Sequence, residues 1–212
     1  MIEHAEFVNA TGQRLTARLI AITIVTISLI ETRYTIGISY TLLALVGIVG
    51  ILSLDSGSSV ALGFNPRPVQ GWGFWFRLAL WFSLAIGVVS LVCFVVYRVN
   101  GWTIPIYKTQ PSLGMLISMC IDSPVSEEVI FRSLLTVALL PTLGEWGTIL
   151  AGGILFSLLH VLHGNPGPDN QIAGFMLGWS FIKSKTILVP LAMHAGGNLI
   201  ALGIQIAAWY FY

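Results

Sequence analysis

The sequence predicts an all-α fold, a polytopic transmembrane bundle of about seven spans, with six to eight compatible with the pattern. Three observations predict it. Of 212 residues, 56% are hydrophobic and only 9% charged, whereas a water-soluble domain of this size carries roughly a quarter charged residues. Tyr34 to Leu54, Leu78 to Tyr97 and Thr186 to Tyr212 contain no Asp, Glu, Lys or Arg. Each reaches the ~20 residues that a helix needs to cross a ~30 Å hydrocarbon core. The mean hydropathy of +0.86 agrees.

The expected spans are 15–31, 35–54, 78–98, 112–140, 147–163, 171–183 and 187–211. The first is short, with Arg18 and Glu31 near its ends, and an interfacial helix is the alternative there. Gly63-Phe64-Asn65-Pro66-Arg67-Pro68 reads as a turn-rich loop after the second span. It leads through Trp72, Phe74, Trp75, Phe76 and Arg77, an interfacial aromatic belt, into the third. The fourth contains Pro124, which removes a backbone donor and should kink it. The sixth is barely long enough to cross, and Gly174 and Gly178 lie on one of its faces for close packing. With no long repeat and no soluble segment, residues 1–212 read as a single membrane domain.

Charge bounds the partners. A net charge of +1 gives no electrostatic case for nucleic acid, so the implied partner is the lipid bilayer. Arg14, Arg18, Arg67, Arg77, Lys183 and Lys185 fall on the N-terminal side of a seven-span chain, against Arg33, Arg98 and Lys108 opposite. The positive-inside rule then puts the N-terminus in the cytoplasm. The first residues do not read as a cleavable signal peptide, and Asn9-Ala10-Thr11 is a glycosylation sequon by pattern only. Cys93 and Cys120 read as small buried hydrophobes rather than a disulfide pair.

Asp122, Glu127, Glu128 and Arg132 fall within eleven residues of the fourth span. A charge near the bilayer centre costs about 2.5–3.5 kcal/mol on insertion scales, which makes such groups functional candidates. The bland alternative is a structural salt bridge between helices. Glu128 and Arg132 are i,i+4 in the favoured order. Glu127 points about 100° away from that pair on a regular helix. A carboxylate tied to arginine makes a poor base, and an unpaired one in an apolar cavity makes a better one. Glu127 is therefore the chemical candidate, with Glu128 and Arg132 as its support. His160 on the fifth span and the i,i+4 pair His194 and Asn198 on the seventh add imidazoles and an amide in the same setting. His163, at a helix end, and His4 read as incidental.

These residues compose three motifs. Glu127-Glu128-Val-Ile-Phe-Arg132 fits EExxxR, Phe156-Ser-Leu-Leu-His160 fits FxxxH, and His194-Ala-Gly-Gly-Asn198 fits HxxxN. In this order and spacing, the chain resembles the CAAX-protease and bacteriocin-processing (CPBP, ABI) family of membrane proteins over about residues 60–200. Gly63-Phe64-Asn65-Pro66 resembles the family's loop before its third span. Two positions depart: Ser133 stands where a glycine usually follows the arginine, and Asp122 where an apolar residue is usual. The resemblance implies an intramembrane glutamate protease. Glu127 with His160 would activate water, while His194 and Asn198 would hydrogen-bond the oxyanion. It implies no cofactor and an integral, multi-pass protein of a prokaryotic plasma membrane. The substrate is a peptide or protein, either C-terminally prenylated or a bacteriocin-type precursor.

Zinc held by Glu127, His160 and His194 is the runner-up chemistry, although HExxH is absent. GxSxG and GxGD signatures are absent too. From other classes, a proton-coupled transporter would use the same groups as a relay, but no two-half symmetry accompanies them. A non-catalytic scaffold or immunity protein would keep the fold without turnover.

Overall fold

Apolar composition turns into helices at nearly every expected position. The computed structural model describes residues 15–34, 37–54, 58–102, 108–165 and 167–211, and among these there is no strand. The N-terminal sequon and Arg14 lie outside the described residues. The helices are α1 (Leu15–Tyr34), α2 (Tyr40–Leu52), a single turn α3 (Ser58–Ala61), α4 (Trp72–Val99), α5 (113–143), α6 (145–162), α7 (Pro168–Ser184) and α8 (Leu188–Phe211). Leu15–Tyr34, Trp72–Val99, the run Leu113–Leu162 and Leu188–Tyr210 are long and apolar enough to cross a bilayer, while Tyr40–Leu52 is apolar but shorter.

The run of 50 residues would extend roughly 75 Å at ~1.5 Å per residue, more than twice a hydrocarbon core. Gly144 resolves this by turning the chain at φ 65°, ψ −176°, a conformation outside the helical region. α5 and α6 are thereby two helices of bilayer length.

The core is built where α1, α2, α6 and α7 close around α5. Ile130, Leu134 and Val137 of α5 and Phe181 of α7 are fully buried, with Ala21 of α1 and Ile51 of α2. Small residues set the approach: a Cβ on Gly47 would strike Leu134, one on Gly153 would strike Phe175, and one on Gly174 would meet the Gly153 carbonyl at 2.9 Å. Gly174 and Gly178 thus pack α7 on α6, as their spacing predicts.

The Gly63 loop docks at one end of the bundle. Ile187 N–H donates to Gly63 O at 3.0 Å, Val69 N–H to Ser184 O at 3.0 Å, and the Thr186 hydroxyl to Asn65 O. Ser133 Oγ donates to Leu62 O at 2.7 Å, which gives the departure from glycine a physical use. Beyond Trp75, no described side chain of α4 is buried and most are exposed, the condition of a lipid-facing helix. Cys93 lies on that exposed surface and Cys120 is half-buried, so neither is the buried hydrophobe expected, and both are free thiols.

Candidate active site

The site is assembled on an irregular stretch of α5. An α-helical segment, Ser123–Glu128, lies between two π-helical segments, Ser118–Asp122 and Val129–Leu134. Pro124 is the local cause. The Ser123 N–H reaches back to Ser118 O, and Pro124 has no N–H to offer, so both nearby donors are lost to the Met119 carbonyl. Asn198 Nδ2 of α8 donates to that carbonyl at 2.7 Å. A half-buried backbone acceptor gains from such a partner, and Pro124, where the sequence predicts a kink, creates the need by withholding a donor. The other N–H of Asn198 and its Oδ1 have no partner among the described residues, and no hydrogen bond joins Asn198 to Glu127.

Glu128 is fully buried and forms a double pair. Its Oε2 lies 3.0 Å from Arg132 Nε, and its Oε1 lies 2.8 Å from His194 Nδ1. Arg132 is also buried, and Nη1 and Nη2 find no hydrogen-bond acceptor among the described residues. The guanidinium carbon instead sits 4.7 Å from the centre of the Phe156 ring, a cation–π arrangement. Phe156 is the platform of the site, with the His160 ring at 4.3 Å and the His194 ring edge-on at 5.9 Å. This explains why a phenylalanine stands four residues before His160.

Glu127 projects from the same turn as Glu128 but away from the arginine. Its Oε2 is 4.0 Å from His160 Nε2 and 3.9 Å from His194 Nε2, and this buried oxygen has no hydrogen-bond partner. Each imidazole is fixed from behind. His160 Nδ1 lies 3.0 Å from Phe156 O, and His194 Nδ1 lies 2.8 Å from Glu128 Oε1. Facing acceptors, both Nδ1 atoms are assigned the proton, which leaves both Nε2 atoms directed at one oxygen. The gaps of about 4 Å exceed a direct hydrogen bond, but a water at ~2.8 Å from each atom can bridge them. The side chains that a zinc ion would use are these same three. Among the described residues, no three His, Cys, Asp or Glu side chains are grouped to hold a metal ion.

A cavity of about 360 Å3 opens beside Glu127. α5 lines it with Asp122, Ser126 and Glu127, α6 with His160 and its C-cap His163, and α2 with Tyr40 and Thr41. Sequence spacing gave no sign of Tyr40 or of the bond between His194 and Glu128. Both cross between helices distant in the chain. His163, read as incidental, lines the cavity with its ring centre 6.5 Å from that of Tyr40.

An all-α membrane bundle with one carboxylate facing two buttressed imidazoles defines the class of protein. Residues 109–200 match the family described as Type II CAAX prenyl endopeptidase Rce1-like. Over that stretch, somewhat under half of its length, the chain is similar to this family of prenyl endopeptidases. No curated protein and no solved structure matches the chain.

Proposed function

We propose that the chain is an intramembrane endopeptidase that cleaves a peptide bond with water activated by Glu127. The observation that carries this reading is the buried, unpartnered Glu127 Oε2 with two imidazole Nε2 atoms 3.9 and 4.0 Å away. Glu127 Oε2 takes a proton from the water while His160 Nε2 orients it, and the water oxygen attacks the peptide carbonyl. The oxyanion accepts hydrogen bonds from His194 Nε2–H and the open N–H of Asn198. Donation from Nε2 requires both ring nitrogens of His194 to carry a proton, with the Glu128 carboxylate as the counter-charge. Glu127 then returns its proton to the leaving nitrogen as the C–N bond breaks. Asn198 enters pre-oriented, because Met119 O already fixes its amide plane. The mechanism calls for no metal.

The family description points to a substrate with a CAAX-type, C-terminally prenylated end, and a bacteriocin-type precursor is the alternative peptide. The test uses the purified protein in detergent with a farnesylated CAAX peptide and its unprenylated counterpart. Glu127→Gln is expected to cut turnover by about 10²–10⁴-fold, the usual contribution of a general base. The melting temperature should stay nearly constant, because no partner of Oε2 is lost. Wild-type turnover in Glu127→Gln would refute the assignment of the base.

A further inference from the structure

Asp122 and Tyr40 line the cavity but take no part in the mechanism above. Tyr40 also lies outside the 109–200 stretch that matches the family. Asp122 is exposed at the cavity, and its carboxylate has no hydrogen-bond or ion-pair partner among the described residues. Among the described residues no lysine or arginine lines the cavity, and Arg132, a cation of the site, is buried against Glu128 and Phe156.

The hydroxyls on this wall are committed in one direction. Tyr40 Oη is hydrogen-bonded to Thr32 Oγ1 and donates to Ser28 O at 3.1 Å, while Thr32 Oγ1 donates to Ser28 O at 2.9 Å. Either way the Tyr40 proton is directed at α1, and only lone pairs remain for the cavity. Ser126 Oγ likewise turns its proton to Asp122 O at 2.8 Å and Ser123 O at 3.1 Å. The wall thus offers acceptors: a carboxylate, a phenol oxygen and a serine oxygen. His163 at the mouth and the hydroxyls of Thr41 and Ser123 can act either way. A ligand that satisfies such a wall brings several donors and a positive charge. A carboxylate or phosphate would meet repulsion and few donors.

We propose that the Tyr40–Asp122 side of the cavity is a specificity subsite for a basic side chain, lysine or arginine, close to the cleaved bond. Asp122 lies five residues before Glu127, roughly 7 Å along the helix axis at ~1.5 Å per residue. That equals about two residues of extended peptide at ~3.5 Å each. The subsite therefore reads a residue within two positions of the scissile bond. The inference rests on the peptidase reading and names the substrates it favours, peptides with a cationic residue near the cut.

The test is a peptide panel in which each position within two residues of the cut is in turn Lys, Gln or Glu. For the wild-type protein, kcat/KM at one position should favour Lys over Gln by about tenfold, with Glu poorer still. The Lys/Gln ratio is taken within each variant, so it does not depend on how much active protein the variant contains. Asp122→Asn and Asp122→Ser should both bring the ratio close to one, and Asp122→Lys should reverse it in favour of Glu. Equal cleavage of Lys and Gln peptides by wild type, or a preference that survives in Asp122→Asn, overturns the subsite. If no peptide is cleaved, the peptidase reading fails, and the subsite is then judged by binding. Glu127→Gln protein should bind the Lys peptide about tenfold tighter than the Gln peptide, and the double variant with Asp122→Asn should not. Equal binding would overturn the inference on its own.

Discussion

Glu128 stands between two basic groups, Arg132 at 3.0 Å and His194 at 2.8 Å, with no exposure to solvent. Truncating one partner of a buried pair strands the other charge, at a cost of about 3–5 kcal/mol. Glu128→Gln should therefore lower the melting temperature in detergent substantially, whereas Glu127→Gln should not. Equal melting of the two variants would remove the structural role assigned to Glu128. The sequence separates these two glutamates through i,i+4 spacing with Arg132 alone. It does not reveal the bond from His194 to Glu128, because no local period relates residues 66 positions apart. The same residues pose the question of metal. Donors at about 2.0–2.2 Å from a tetrahedral zinc ion stand about 3.3–3.6 Å from one another. The gaps of 3.9 and 4.0 Å between the carboxylate oxygen and the two nitrogens are close to that, so the choice between zinc and water falls to experiment. In the proposed mechanism water fills those gaps. Activity should survive prolonged chelation, with substoichiometric zinc by elemental analysis. Loss of activity with the metal, and its return with about one equivalent of zinc, would replace the glutamate mechanism by the zinc one at the same side chains.

At the scale of elements, irregular backbone positions the site. Apolar run lengths fix where the helices lie, because hydrophobic extent is a local property, and the expected spans overlap α1, α2 and α4 to α8 in order. The π-helical segments around Ser123–Glu128 are not legible in this way. They depend on Pro124 meeting a side chain from α8 that relieves Met119 O. The turn at Gly144 is half legible: a gap between spans was expected at 141–146, but its geometry was not. Gly144 has φ 65° and ψ −176°, and nothing lies within 4 Å of where its Cβ would stand. Substitution there meets no steric neighbour, so its cost is conformational, about 1–3 kcal/mol for a residue forced into this region. Gly144→Ala should lower the melting temperature accordingly, while Gly87→Ala on exposed α4 should leave it near wild type or raise it. A Gly144→Ala protein as stable as wild type would show that α5 and α6 can be joined by another backbone path.

For the whole molecule, orientation follows from which loops share an end. Val69 N–H bonds to Ser184 O, Ile187 N–H to Gly63 O, and Lys183 Nζ to Glu145 Oε2 at 2.8 Å. These bonds gather the loop before α4, the turn between α5 and α6 and the turn between α7 and α8 at one end. Tyr40 beside His163, and Thr109 N–H on Gln205 O, mark the other. Arg67, Lys183 and Lys185 belong to the first end with Arg77 one turn into α4, while Arg33, Arg98 and Lys108 belong to the second. By the positive-inside rule the first end, with four of these cations against three, is the one expected in the cytoplasm. Gln70 and Asn100 flank α4 at opposite ends and are exposed. In a variant with Cys93 and Cys120 replaced by serine, Asn100→Cys should react with an impermeant thiol reagent on intact cells. Gln70→Cys should react only after permeabilisation. Reactivity in the reverse sense would invert the orientation, and reactivity of both from outside would mean that α4 does not cross. Because α4 touches little of the bundle, its crossing depends on lipid rather than on packing, which makes it the helix where the experiment discriminates best.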